Sequence, residues 1–448
     1  MTTALLAVAL LALGLPSVLE SARMHAQASR IAASGLAHEL ARGPEGFGLI
    51  RSSSDMEDRY ELSRIIATLG DGSAKQIESR ASWYAHLFGT RSVSFAGIKT
   101  DYANATDYSC SPFLIGDWGK LVLREADGDS MLPPITAIAT TRTSLIGVAA
   151  STAEISSPSL FIWNVSNDAQ LELSLSFDSA TSTDVGYIDV ATGRGFIYAL
   201  SAHSCPAPVR CASLDAFSIT DTGLELIGSI PIPAAKSMTH RDGRLYVGLR
   251  AAAQDPEFLI FTLKQDGLLE RIGSSEIGET VNDIVTDGSL AYIATSDNSI
   301  AGNRAIISLQ VDSPSESMAH AARARQPGAG ISQRLALAGN AVFLGRSSPL
   351  NSKELYILDS SDITRILAAK DTDSSIAGIV TRGFDAFILT RTRIERWRTE
   401  YPERPEKIGD SFVLPQGRSG SSLACSGNKL FLVANTASEG SLMTLSPL

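Results

Sequence analysis

One pattern recurs seven times over the last two thirds of this 448-residue chain: apolar strand, small turn residue, aromatic-bearing strand. The clearest copies are Asp242-Gly243-Arg244-Leu245-Tyr246-Val247, Asp287-Gly288-Ser289-Leu290-Ala291-Tyr292-Ile293, Gly339-Asn340-Ala341-Val342-Phe343-Leu344, Gly383-Phe384-Asp385-Ala386-Phe387-Ile388 and Gly427-Asn428-Lys429-Leu430-Phe431-Leu432. Weaker copies sit at Thr192-Gly193-Arg194-Gly195-Phe196-Ile197 and around Thr143-Ser144-Leu145-Ile146-Gly147. Taking Ile146, Ile197, Tyr246, Tyr292, Phe343, Phe387 and Phe431 as equivalent gives intervals of 51, 49, 46, 51, 44 and 44 residues. All-strand units at a period of roughly 40–50 residues predict a β-propeller. The expected fold class is mainly β: a seven-bladed β-propeller preceded by a long N-terminal α-helix and a small β-rich head.

The repeats also predict how the ring closes. Each repeat opens with an apolar strand that completes the previous blade, as at 224–230 and 268–273. The same strand type first appears at 119–124, and the chain ends on a third strand, Ser441 to Leu445, with no fourth after it. The 119–124 strand is therefore expected to pair with the last blade, which removes an open edge. This model brings Cys110, just before the closing strand, near Cys425 in the first strand of the last blade, and so predicts a disulfide between them. In the loop-entropy model so long a loop contributes at most roughly 5 kcal/mol. Cys205 and Cys211 flank Pro206-Ala207-Pro208-Val209-Arg210 and are expected to staple one inter-strand loop. The alternative is four reduced thiols in a cytosolic protein.

The N-terminal segment is uncharged through Leu19. Ala4 to Leu19 falls short of the ~20 residues a lone helix needs to cross a bilayer. A secretory signal peptide cleaved near residues 22–28 is one reading. No Lys or Arg precedes the run, however, and Glu20 and Arg23 fall where small residues are wanted. A single helix from about residue 2 to 41, about 60 Å long, fits better. Its second half is amphipathic through Ala22, Ala26, Ala33, Leu36 and Leu40, with a mild kink at Pro16.

Beyond it, Tyr60 to Thr68 reads as a strand, Gly70-Asp71-Gly72 as a turn, Lys75 to Trp83 as an alternating strand, and Thr90 to Phe95 as another. A long helix followed by such a head resembles type IV pilins and pseudopilins, in particular minor pilins whose head precedes a propeller. The propeller resembles LVIVD-type repeats, whose third strand ends near an Asp. Leu355-Tyr356-Ile357-Leu358-Asp359 is the best copy, with Phe161-Ile162-Trp163-Asn164-Val165 and Phe258 to Leu263 looser ones. The start Met1-Thr2-Thr3 departs from the basic leader of prepilins. Three domains are expected: a membrane- or pilus-anchoring helix over 1–45, a pilin-like head over 46–108, and the propeller over 109–448.

Net charge is −10, which gives no reason to expect nucleic acid or an anionic membrane surface as a partner. None of the six histidines, His25, His38, His86, His203, His240 and His320, sits in a zinc-protease frame. The cysteines lack a Cys-x-x-Cys spacing. Gly417-Arg418-Ser419-Gly420 is one residue short of a nucleophile elbow and reads as a turn. Asp371-Thr372-Asp373-Ser374-Ser375 resembles the start of a calcium loop without its glycine or distal Glu, and also reads as a turn, as does Asp127-Gly128-Asp129. No catalytic, metal or cofactor residues are therefore expected. The strand aromatics are expected to form core between blades. Arg391 to Arg398 is expected to be an alternating strand with an exposed charged face, and the loop near 200–212 is the favoured contact site.

The resemblance implies a membrane-anchored, surface-displayed pilin-like protein whose propeller serves adhesion or protein interaction without catalysis. Its implied partners are the membrane through residues 4–19, other pilin or pseudopilin subunits through the helix, and an extracellular protein or glycan through the propeller. Two other readings are a secreted propeller with carbohydrate-binding or hydrolytic activity, and a scaffold within secretion machinery.

Overall fold

The computed structural model describes residues 23–33, 36, 53–57, 60–69, 74–85, 89–100 and 121–125. It also describes 132–447 apart from 142–143, 150–158, 166–170, 178–185, 202–211, 221–222, 252–254, 297–304, 316–317, 319, 325–330, 348–352, 383–384 and 427–428. The chain divides into two compact units, Met1–Ala103 and Asn104–Leu448.

In the first unit one helix, α1, runs over 23–33. Beside it lies an antiparallel meander of β1 (Ser53–Glu57), β2 (Tyr60–Leu69), β3 (Ala74–Ala85) and β4 (Gly89–Thr100). The three predicted head strands are all present. Along β3, Ser79, Ala81 and Trp83 are buried in turn, the period of two that a one-sided sheet requires. Helix α1 lays Ala28 and Ala32, one helical turn apart, against Tyr60, Ala81 and Trp83, with Met24 and Ile31 at the margins. Small side chains let the helix sit close to the Trp83 ring. Tyr60 donates its hydroxyl to the Met24 carbonyl at 3.3 Å. This corrects one expectation: the buried stripe is Met24, Ala28, Ile31 and Ala32, while Ala26 and Ala33 are exposed. Helix α1 and the head strands fall within the same compact unit. The described helix is short; the apolar run 4–19 and the rest of the expected long helix lie outside the described residues. Among the described residues no helix is long and apolar enough to cross a membrane.

The second unit opens with β5 (Leu121–Glu125). The first sheet follows: β6 (Ile135–Thr140), β7 (Ser144–Ala149), β8 (Leu160–Val165) and β9 (Leu171–Phe177). The second holds β10 (Tyr187–Gly193), β11 (Phe196–Ser201), β12 (Ala212–Thr220) and β13 (Gly223–Ile232). The third holds β14 (Ala235–Arg241), β15 (Arg244–Leu249), β16 (Phe258–Leu263) and β17 (Leu269–Ser275). The fourth holds β18 (Thr280–Thr286), β19 (Leu290–Ser296), β20 (Ile306–Gln310) and β21 (His320–Ala324). The fifth holds β22 (Ser332–Ala338), β23 (Ala341–Arg346), β24 (Leu355–Asp359) and β25 (Ile366–Lys370). The sixth holds β26 (Ile376–Arg382), β27 (Asp385–Thr390), β28 (Arg393–Arg398), β29 (Glu406–Lys407) and β30 (Phe412–Val413). The seventh holds β31 (Ser419–Ser426), β32 (Lys429–Asn435) and β33 (Gly440–Pro447) and is completed by β5. Each sheet is an antiparallel meander, and the first strand of each touches the first strand of the next, with β31 returning to β6. This is a propeller-like ring.

The predicted closure holds at residue level. β5 pairs with β33 through Leu123↔Leu445 and Arg124↔Thr444, within two residues of the expected 119–124. Asn435 also clasps the seam, accepting from Ile135 N at 3.2 Å and donating to Ile135 O at 2.7 Å.

Between sheets the core is a series of interleaved clusters. Tyr246 packs with Val281, Ile284 and Ile293 of the following sheet, Tyr292 with Leu335 and Leu344, Phe343 with Ile376 and Ile388, Phe387 with Leu430 and Leu432, and Phe431 with Ile135 and Leu145. The aromatics are therefore inter-sheet core, as their spacing predicts. One phase is corrected. Tyr198, not Ile197, faces the third sheet alongside Met238 and Leu245, while Ile197 faces back to Ile146 and Ile162. A strand's side-chain period of two makes a one-residue slip a change of face. Two of the hairpins between first and second strands carry the paired positive φ of a type I′ turn, Arg194 (53°) with Gly195 (84°) and Asp242 (51°) with Gly243 (72°).

Gly440 tests the seam. Its amide donates to Leu132 O at 2.8 Å, and a Cβ there would collide with the Pro133 carbonyl oxygen. Gly440→Ala is expected to destabilise the second unit by about 1–3 kcal/mol, read from the midpoint of urea unfolding.

Candidate functional site

The first strand of every sheet in the ring carries a register break at the same place. The breaks lie between Ile135 and Ala137, Tyr187 and Asp189, Ala235 and Ser237, Val281 and Asp283, Ser332 and Arg334, Ile376 and Gly378, and Gly420 and Ser422. A bulge re-aims the side chains around it and sharpens the local twist. Here it turns polar groups toward the neighbouring sheet. Thr136 Oγ1 lies 2.8 Å from Tyr187 O. Asp189 Oδ2 accepts from Met238 N at 2.7 Å and Oδ1 from Val190 N at 2.9 Å. Asp283 repeats that pattern two sheets on, accepting from Leu335 N at 2.7 Å and Ile284 N at 2.9 Å. Asn282 donates to Ser332 O at 2.8 Å and Arg334 Nε to Ala377 O at 2.7 Å. Ser421 Oγ lies 3.2 Å from Ile135 O.

The result is a belt of polar residues near the start of the inner strands, at one mouth of the ring. Charges meet there across sheets. Burial pushes the Asp189 carboxyl up to about 7, Met238 and Val190 amides hold it down in part, and Asp283 across the ring raises it further. Asp283 is raised by burial too, against the pull of Arg334. Lys236, the bulged residue of β14, is lowered by burial and by Arg250 and Arg334, with Asp189 opposing. Lys236 and both acids are reached by solvent at the mouth yet surrounded by inner strands, so their charges are poorly hydrated.

The sequence-selected residues fall elsewhere. Cys425 lies in β31, almost fully buried, and is disulfide-bonded; Cys110, Cys205 and Cys211 lie outside the described residues, as do 202–211 of the favoured loop, His38, His86, His203 and Asp127 to Asp129. Of the other histidines, His25 is on α1 with its ring 5.8 Å from that of Trp83, and His240 packs over Gly193. Asp371 to Ser375 links the fifth and sixth sheets: Glu354, buried, accepts from Thr372 N at 2.9 Å, and Asp373 pairs with Arg393 at 3.0 Å. Glu257 does the same one repeat pair earlier, accepting from Ile277 N and Gly278 N. Gly417 has the left-handed φ of a turn, 82°, and Ser419 begins β31. The expected exposed charged face on β28 is corrected. Glu395 is buried and takes Arg393 at 2.7 Å, Lys407 at 2.9 Å and the Trp397 indole N–H at 3.1 Å, while Arg396 pairs with Asp385 at 3.0 Å. Burial of one carboxylate has drawn these cations inward. Among the described residues no group of three metal-ligating side chains converges.

No protein-family model matches the chain, and no characterised protein matches it in sequence. Solved structures do. The WD40 β-propeller domain of Doa1 matches with a TM-score of 0.51 at 12% identity, covering 75% of this chain and 97% of that one. YCF48, solved with a D1 peptide bound, matches with a TM-score of 0.51 at 8% identity, covering 75% and 99%. At such identities the likeness shows a shared propeller-like fold and nothing finer.

The belt makes stability depend on pH. Folded Asp189 keeps its proton to about pH 7, while the ordinary carboxyl loses it near 3.8. The native state therefore holds an extra proton between those values, and stability falls as pH rises through the window, by roughly 1–4 kcal/mol. Asp189→Asn is expected to flatten that slope, measured by urea unfolding from pH 4 to pH 8.

Proposed function

We propose that this protein is a non-enzymatic binding protein built on a seven-bladed propeller and displayed outside the cytoplasm by a pilin-like N-terminal segment. The observation that carries the binding reading is the ring itself. It is a rigid, closed frame whose described polar cluster sits at one mouth, on a fold shared with a peptide-bound structure. Both axial carboxylates are committed to backbone amides of the next sheet, a structural duty that supports binding over acid–base chemistry. A disulfide-bonded Cys425 suits an oxidising compartment, and we pair it with Cys110, leaving Cys205 with Cys211. The helix-on-sheet packing of Ala28 and Ala32 against Tyr60, Ala81 and Trp83 supports a pilin-like head, with the membrane and other pilin or pseudopilin subunits as partners of the segment before it.

Protease treatment of intact cells, with fractionation of the remainder, tests this reading. Display predicts that the propeller is cut or shed from intact cells and that the undigested protein partitions with membranes or fibres. A propeller protected until lysis overturns display. A soluble secreted form beginning after about residue 22 overturns the anchor.

A further inference from the structure

The mouth of the ring is locally cationic on a chain of net charge −10. Lys236 is exposed at the bulge of β14. The pairing of Ala235 with Leu249 places Arg250 beside it, and Arg250 N donates to Ala234 O at 2.8 Å, which fixes that backbone two residues from the lysine. Arg334 follows the bulge of β22, and its Nε and Nη1 are held by Ala377 O at 2.7 Å and Gln333 O at 3.2 Å. That tethering fixes the guanidinium. Among the described residues the Lys236 ammonium has no hydrogen-bond or ion-pair partner. Its charge is opposed by both arginines, a repulsion that a bound anion would relieve.

We propose that this mouth binds a carboxylate of a peptide partner, with Lys236 and Arg250 supplying charge and Arg334 a positioned planar donor. The proposal rests on the binding reading above and names the chemistry of its partner. Three cations stand against two carboxylates, Asp189 and Asp283, whose charge burial suppresses, so the site carries excess positive charge. The acidic chain as a whole repels polyanions, which favours a carboxylate over a phosphate dianion. The carboxylate could come from a chain terminus or from an acidic side chain.

Three N-acetylated peptides distinguish these sources in ligand-observed NMR titrations against the full chain: Gly-Ser-Gly-Ser with a free C-terminus, the same peptide amidated, and amidated Gly-Glu-Gly-Ser. Either acid is expected to bind at millimolar concentration or better, and about tenfold more tightly than the neutral amide; which acid binds identifies the source. The Lys236→Ala/Arg250→Ala double variant changes two exposed side chains, so it is expected to melt with the wild type while losing about tenfold in affinity. Equal binding of the neutral peptide, no binding of any peptide, undiminished binding by the folded double variant, or stronger competition by inorganic phosphate than by acetate overturns the proposal. Cell-surface protease accessibility is unaffected by each of those results, so display and the carboxylate site fail separately.

Discussion

Everything in the second unit depends on how seven inner strands meet. A ring of sheets leaves each inner strand with one edge facing the axis, where backbone groups lack a ladder partner. Buried backbone groups without partners are costly, and this chain answers with the bulge. At six junctions a polar side chain beside the bulge reaches a backbone amide or carbonyl of the next sheet: Thr136 to Tyr187, Asp189 to Met238, Ser237 to Val281, Asp283 to Leu335, Arg334 to Ala377 and Ser421 to Ile135. At the junction of sixth and seventh sheets the position is Gly378, and the strands come so close that a Cβ there would lie 2.8 Å from that of Leu423. Tie or glycine, each solution fixes the spacing between sheets. The aromatic clusters then fill wedges whose width is already set.

The ring was legible because its determinants are local and repeated. Turn residues at Asp242-Gly243 and large aromatics at Tyr246, Tyr292, Phe343, Phe387 and Phe431 recur at a nearly constant interval, and each marks a hairpin and a wedge. Closure was legible because a third strand without a fourth demands a donor, and only the segment before the first repeat supplied one. The phase error at Ile197 has a physical source. Phe196, Ile197 and Tyr198 are all large and apolar, so composition does not say which side faces which neighbour, and register alone decides.

The polar belt was not legible in the same way. Asp189, Asp283 and Arg334 each lie just after a bulge, yet a bulge is a property of pairing and leaves no residue signature of its own. Scattered along the sequence they are single charges among many; only the fold brings them to one mouth. A signal did exist. Counting back nine residues from Tyr198, Tyr292 and Phe343 lands on Asp189, Asp283 and Arg334, a column of charge at one position of the first strands. The β28 cluster misled for the opposite reason. Alternation in Arg393 to Arg398 signals an exposed face only if the intervening acid is exposed as well. Glu395 is buried, and a buried carboxylate draws in whatever cations lie within reach.

The double duty of the axial acids constrains what the mouth can do. A general acid or base must present an oxygen to its substrate, and in Asp189 and Asp283 one oxygen accepts an amide of the next sheet while the other accepts the amide of its own following residue. Proton transfer through either would alter the junction it braces, coupling each turnover to the rigidity of the frame. The cations carry no such burden on the Lys236 and Arg250 side. Their charge faces the mouth and their removal leaves no backbone group unpaired. The same belt thus separates structural carboxylates from available cations, and the difference between them is what gives this mouth a preference for an anionic group arriving from outside.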